Sequence, residues 1–78
     1  MDITALVVDQ ASDILGIQLR ASDDYFARGA DSLDTLELLT RLQDQLGFEI
    51  PAHLIYDGSS LEDFASMIGR VSRRDEPA

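Results

Sequence analysis

Apolar residues return at near-helical spacing in three stretches of this chain. In the first, Ile3, Val7, Ala11, Ile14 and Leu15 recur along one face, with Asp2 or Thr4 placed to cap the start and Gly16 to stop the end. A helix is therefore expected from about Ile3 to Leu15. The second stretch runs from about Ser32 to Leu46, contains neither Gly nor Pro, and closes at Gly47. The third carries Leu61, Phe64, Ala65 and Ile68 as one apolar stripe, preceded by Ser59 and Glu62 in the spacing of a capping box. Between the second and third, Phe48-Glu49-Ile50-Pro51 reads as an extended link, since a residue before proline avoids the helical region. Pro51 then opens a short helix through Ala52, His53, Leu54, Ile55 and Tyr56, and Asp57-Gly58 turns the chain.

No period holds from Ile17 to Asp31. Ile17 and Leu19 are expected to be buried, Ser22-Asp23-Asp24 supplies turn chemistry, and Tyr25-Phe26 an aromatic anchor. A loop of about 15 residues is long for a small domain, and such loops are usually functional or fixed by their own side chains. From Val71 onward the chain is polar, Arg-rich and ends in Pro-Ala, which predicts a flexible tail over 71–78 behind a domain over 1–70. The fold class is all-α: a small four-helix bundle of three main helices and a short third one, with a long loop between helices I and II.

Seventy-eight residues make one domain, able to bury only about 60% of its unfolded surface. There is no cysteine, so neither disulfides nor a thiolate metal site can support the fold, and any thioester formed here needs a thiol that arrives with a cofactor. Fifteen acids against six bases, all of them Arg, give a net charge of -9. Nucleic acid and anionic membranes are thus poor partners, whereas basic protein surfaces are the natural complement. Net charge also serves solubility alone. No apolar run approaches the roughly 18 residues of a membrane span, and no basic-then-apolar signal opens the chain, so a cytoplasmic monomer is expected.

Helix II has two apolar faces. With Ser32 at zero and about 100° per residue, Thr35, Leu38, Leu39, Leu42 and Leu46 share one arc, the core stripe. Leu33 and Leu36 lie on the other side with Glu37, Thr40 and Asp44. Exposed leucines are common, but two of them ringed by charge just after the helix start have the anatomy of a docking surface. Ser32 stands where the loop becomes this helix, beside its free N–H groups and positive dipole end, where phosphate is electrostatically welcome. Ser and Asp are both good N-caps. Ser32 either caps the helix, which the residues alone favour, or leaves that to Asp31 and turns its hydroxyl outward.

Catalytic groups are scarce. His53 is the single histidine, in the short third helix, where a solvent-facing or locally hydrogen-bonded role is the simpler reading. No Gly-x-Ser-x-Gly elbow surrounds Ser32, and Asp23, Asp24 and Asp31 lack the spacing of a calcium loop. No catalytic or metal-ligating set emerges.

Gly29-Ala30-Asp31-Ser32-Leu33-Asp34-Thr35-Leu36-Glu37-Leu38 resembles the modification signature of the acyl and peptidyl carrier proteins. Asp24-Tyr25-Phe26 with Gly29 is similar to the lead-in of polyketide and nonribosomal-peptide carriers. Gly47-Phe48-Glu49-Ile50-Pro51 matches their link after helix II, and Ile55 to Ala65 resembles their later pattern, with Tyr56 and Ser60 substituting. The resemblance implies that Ser32 carries a covalent 4′-phosphopantetheine donated by coenzyme A, flanked by Asp31 and Leu33. It also implies partner docking through Leu33, Asp34, Leu36, Glu37, Thr40, Arg41 and Asp44. The implied partners are a phosphopantetheinyl transferase, an acyl- or aminoacyl-loading enzyme and downstream synthase enzymes.

In fatty-acid carriers later helix II is strongly acidic, but here it reads Thr40-Arg41-Leu42-Gln43-Asp44-Gln45. That departure favours a polyketide or nonribosomal-peptide pathway over primary fatty-acid synthesis. Beginning at Met1 without flanking domains, the chain reads as a discrete carrier, although an excised domain with an added start would read the same. From a different class, an unmodified helical interaction module using Leu33, Leu36 and Glu37 is the alternative.

Overall fold

The computed structural model describes residues 2–75, and its four helices run α1 (Ile3–Leu15), α2 (Ser32–Leu46), α3 (His53–Asp57) and α4 (Leu61–Asp75). No strand occurs among the described residues. None of their helices is long and apolar enough to cross a membrane.

Asp2, not Thr4, caps α1: its carboxylate accepts from the Thr4 and Ala5 N–H groups at 3.0 and 3.4 Å. The face expected from the apolar spacing turns inward, with Val7 and Ala11 fully buried. On α2 the inward face is Thr35, Leu38, Leu39 and Leu42, with Leu46 packed at its margin. The helix ends at Gly47, whose left-handed backbone (φ 82°) lets its N–H close on the Gln43 carbonyl, a conformation that costs other residues a steric clash. The Gln43 side chain then accepts from the Ile50 N–H at 2.8 Å, which fixes the extended link. Helix α1 packs on both α2 and α4, and α3 packs on α4. Leu61, Phe64, Ala65 and Ile68 fill the centre from α4.

The 16–31 loop is fixed by its own polar groups. The Ser12 hydroxyl accepts from the Leu19 N–H and Asp23 accepts from the Arg20 N–H, while the Asp24 carboxylate accepts from the Phe26 and Ala27 N–H groups. Leu19 and Tyr25 reach the core. The loop also reaches α4: the carbonyls of Asp23 and Ala21 accept from the Leu61 and Glu62 N–H groups, both at 2.9 Å.

Four expectations are corrected. Ile17 is exposed, because it follows the left-handed Gly16 and its N–H is drawn back to the Ser12 carbonyl, so that Leu19 alone turns inward. Helix α3 starts at His53, not Pro51. Pro51 and Ala52 only form the turn that leads into it, their carbonyls accepting from Leu54 and Ile55. The cap of α4 is Ser60 with Asp63, one residue beyond Ser59 with Glu62: the Ser60 hydroxyl accepts from the Asp63 N–H, and the Asp63 carboxylate accepts from Ser59. Finally, α4 continues past the expected boundary at residue 70, through residues 71–75. Half-buried Val71 continues the stripe of Ile68 three residues later, and no proline intervenes. Residues 76–78 of that expected tail lie outside the described residues.

Candidate functional site

Asp31 is the N-cap of α2. Its carboxylate accepts from the Asp34 N–H at 2.9 Å, and the Asp34 carboxylate accepts from the Asp31 N–H at 3.0 Å, a reciprocal capping box. The hydrogen bond from the Asp34 backbone is the chief reason that the Asp31 carboxyl sits below its usual range. With both acids engaged, Ser32 is relieved of capping. It occupies the first helical position, is exposed, and no hydrogen bond engages its hydroxyl among the described residues.

Two elements aim this hydroxyl. The loop approaches through Gly29, whose φ of 109° is open to glycine and strained for other residues. Tyr25, 3% exposed, then pins the junction by donating its hydroxyl to the Asp34 carbonyl at 3.2 Å. Burial, helped by the nearby Asp34 and Glu37 charges, pushes the Tyr25 phenol up to about 12. Phe26 meets Tyr25 edge-on at 6.1 Å and stacks on the exposed Tyr56 of α3 at 5.2 Å. The cluster therefore links α3 to the start of α2.

Chemically, the site is a free primary alcohol at the positive end of a 15-residue helix, with carboxylates on either side. Those carboxylates disfavour a loosely bound anion, while the exposed hydroxyl suits a phosphate ester covalently held. The residues present thus fit a phosphopantetheine joined at Ser32, with Asp31 and Asp34 holding the helix start and Leu33 exposed beside it.

The outward face of α2 forms a shallow open groove of about 520 Å³ lined by Leu33, Asp34, Leu36, Glu37, Thr40 and Arg41. Leu33 is 74% and Leu36 61% exposed, so neither belongs to the core. Asp44 lies on the same helix, exposed, but outside the groove. Helical period grouped Leu33, Leu36, Glu37 and Thr40 with Asp44, and the resemblance added Asp34 and Arg41. Both missed the contacts from other elements: Tyr25 on Asp34, and Gln10 and Asp13 of α1 on Arg41. Arg41 is therefore paired across helices. Its guanidinium donates to Asp13 at 2.6 Å and lies 3.5 Å from Glu37. Only the Glu37 contact, four residues away on one helix, carries a local sequence signal.

The family of the phosphopantetheine attachment site matches residues 5–68. Cyclosporin synthetase of Tolypocladium inflatum is 29% identical over 76 residues, which is 97% of this chain but 0% of the synthetase to the nearest percent. The chain spans at most 2% of the length of the curated relatives it matches. Among solved structures, a nonribosomal peptidyl carrier (PCP) domain superposes with a TM-score of 0.73 at 30% identity, covering 85% of this chain and 86% of that one. BlmI, a type-II acyl carrier protein from Streptomyces verticillus involved in bleomycin biosynthesis, shares the fold with a TM-score of 0.85 at 11% identity, covering 90% of this chain and 86% of its own. The chain belongs to the phosphopantetheine attachment-site family, the carrier proteins that bear a covalently attached 4′-phosphopantetheine.

Proposed function

We propose that Ser32 is the residue that carries the phosphopantetheine and that this carrier serves polyketide or nonribosomal-peptide assembly. The observation that bears most weight is the division of labour at the helix start: Asp31 and Asp34 cap α2, which leaves the exposed Ser32 hydroxyl free, on a transferase, to attack the pantetheine-side phosphorus of coenzyme A, breaking the pyrophosphate bond and releasing adenosine 3′,5′-bisphosphate. When attached, the arm supplies the thiol on which an acyl or aminoacyl group is held as a thioester. The chain's own residues bind and present. The first turn of α2 fixes the anchoring oxygen, and the Leu33–Leu36 groove with Glu37 offers an apolar centre and an acidic rim to basic partner surfaces.

Tethering raises the effective concentration of an intermediate between successive enzymes, and no side chain here is asked to make or break the cargo's bonds. The partners are the transferase, the loading enzyme and downstream synthase enzymes, in the cytoplasm. The similarity to cyclosporin synthetase and to the peptidyl carrier domain supports the nonribosomal setting. The test is intact mass after incubation with coenzyme A and a broad-specificity phosphopantetheinyl transferase. Wild type gains one phosphopantetheine and Ser32→Ala gains none; addition to Ser32→Ala would overturn the assignment.

A further inference from the structure

Asp13 belongs to α1, outside the groove, yet it makes the shortest ionic contact of the groove's single arginine. One terminal nitrogen of Arg41 donates to the Asp13 carboxylate at 2.6 Å and lies 3.3 Å from the Gln10 side-chain oxygen. The other reaches Glu37 at 3.5 Å. One guanidinium is thus shared unequally between two acids, and the short charge-assisted bond goes to the acid on the other helix. Asp13 is 72% exposed, and an ion pair so wet contributes little to stability. Its effect is on where the positive charge stands.

We infer that Asp13 is a positioning residue for partner recognition: it draws Arg41 toward α1 and thereby loosens its contact with Glu37, leaving that carboxylate only partly neutralised for a basic partner. This rests on the reading of the α2 groove as the docking face. Without the Asp13 charge, Glu37 is the nearest anion left to Arg41, one turn away on the same helix face. An arginine collapsed onto Glu37 neutralises the groove's acidic rim from within, and the partner must displace it. Recognition written on α2 is in this way set in part from α1. Gln10 supports the same placement as a neutral acceptor that guides the guanidinium without competing for its charge.

The experiment is a double-mutant cycle on pantetheinylation by a broad-specificity transferase with coenzyme A, read as KM and kcat for the carrier. Asp9 is the control: it is exposed, lies on α1 and has no ion pair among the described residues, so Asp9→Asn removes the same charge from the chain. Asp13→Asn should raise KM about two- to fivefold over Asp9→Asn, the scale of one exposed ionic contact, with kcat unchanged. In an Arg41→Gln background the two Asp variants should become equal, because no guanidinium remains to collapse. Equal KM values for Asp13→Asn and Asp9→Asn with Arg41 present, while Glu37→Gln is impaired, would overturn the inference and leave the docking face standing. An unimpaired Glu37→Gln would overturn the inference at its premise, that Glu37 meets the partner, whereas an unimpaired Leu36→Ala would overturn the docking face itself. Thermal unfolding of each variant separates these effects from loss of fold.

Discussion

The Tyr25 hydroxyl donates to the main-chain carbonyl of Asp34 at 3.2 Å, which fastens the long loop to the first turn of α2. Asp34 is therefore held three times, by Tyr25 at its carbonyl, by the Asp31 N–H at its carboxylate and by the Asp31 carboxylate at its N–H. None of these bonds involves Ser32. Ser32 is placed by its neighbours, so its own side chain can change chemically without loosening its position.

Tyr25→Phe removes one buried hydrogen bond and should cost about 0.5–1.5 kcal/mol in denaturant unfolding at neutral pH. The phenol is raised from 10.0 to about 12 in the fold. A folded value above the unfolded one means that the native state holds this proton longer. Its stabilisation is complete below pH 10.0 and is lost as pH climbs to about 12. Melting temperatures over that window should fall more steeply for wild type than for Tyr25→Phe. Parallel curves would count against a buried, hydrogen-bonded phenol.

Asp31→Ala and Ser32→Ala should part company in stability. Loss of the true cap costs about 0.5–2 kcal/mol, whereas Ser32→Ala should leave the melting temperature and helical circular dichroism close to wild type. Because hydrogen bonding holds the Asp31 carboxyl below the usual carboxylate range, its contribution is fully present above that range and fades as the solution is acidified below it. A Ser32→Ala protein destabilised as much as Asp31→Ala would return the capping role to the serine.

Leu36→Ala and Leu39→Ala distinguish the two faces of α2. Leu39 is 6% exposed and Leu36 61%. Leu39→Ala should open a core cavity and cost about 2–5 kcal/mol. Leu36→Ala should change stability little but raise KM for the transferase, as expected when a central apolar contact is truncated. Urea unfolding and modification kinetics on both variants give the answer, and exchanged effects would reverse the assignment of faces.

Glu37→Lys should slow association with a basic partner more than it speeds dissociation. The deficit should shrink between low and physiological salt as the charges are screened over about 8–10 Å. Stopped-flow association at several ionic strengths is the measurement; a defect independent of salt would point to steric rather than electrostatic recognition.

Most of the helical frame could be read in the sequence because period and punctuation agree. The stripe Thr35, Leu38, Leu39, Leu42 and the stop at Gly47 gave α2 its residue bounds and its buried face. The cap of α4 was ambiguous in the chain itself. Two adjacent serines face two adjacent acids, so Ser59 with Glu62 and Ser60 with Asp63 are equally good locally. Tertiary contact decides between them: loop carbonyls already accept from Leu61 and Glu62, which leaves the Asp63 N–H for Ser60. At the site, Ser32 and the exposed leucines follow from one helix and its signature. Asp13 and Gln10 do not, because no local spacing records which side chain of α1 will meet Arg41 once the helices pack.

The bonds from Leu61 and Glu62 to the carbonyls of Asp23 and Ala21 join points nearly half the chain apart. They close residues 24–60 into a ring that contains all of α2 and Ser32. The closure lies away from both termini, so the amide protons of Leu61 and Glu62 should exchange with solvent more slowly than those at the chain ends. In the proposed role, gripped and released by one enzyme after another, such a fold would be handled as one unit rather than unravelled from an end at each visit.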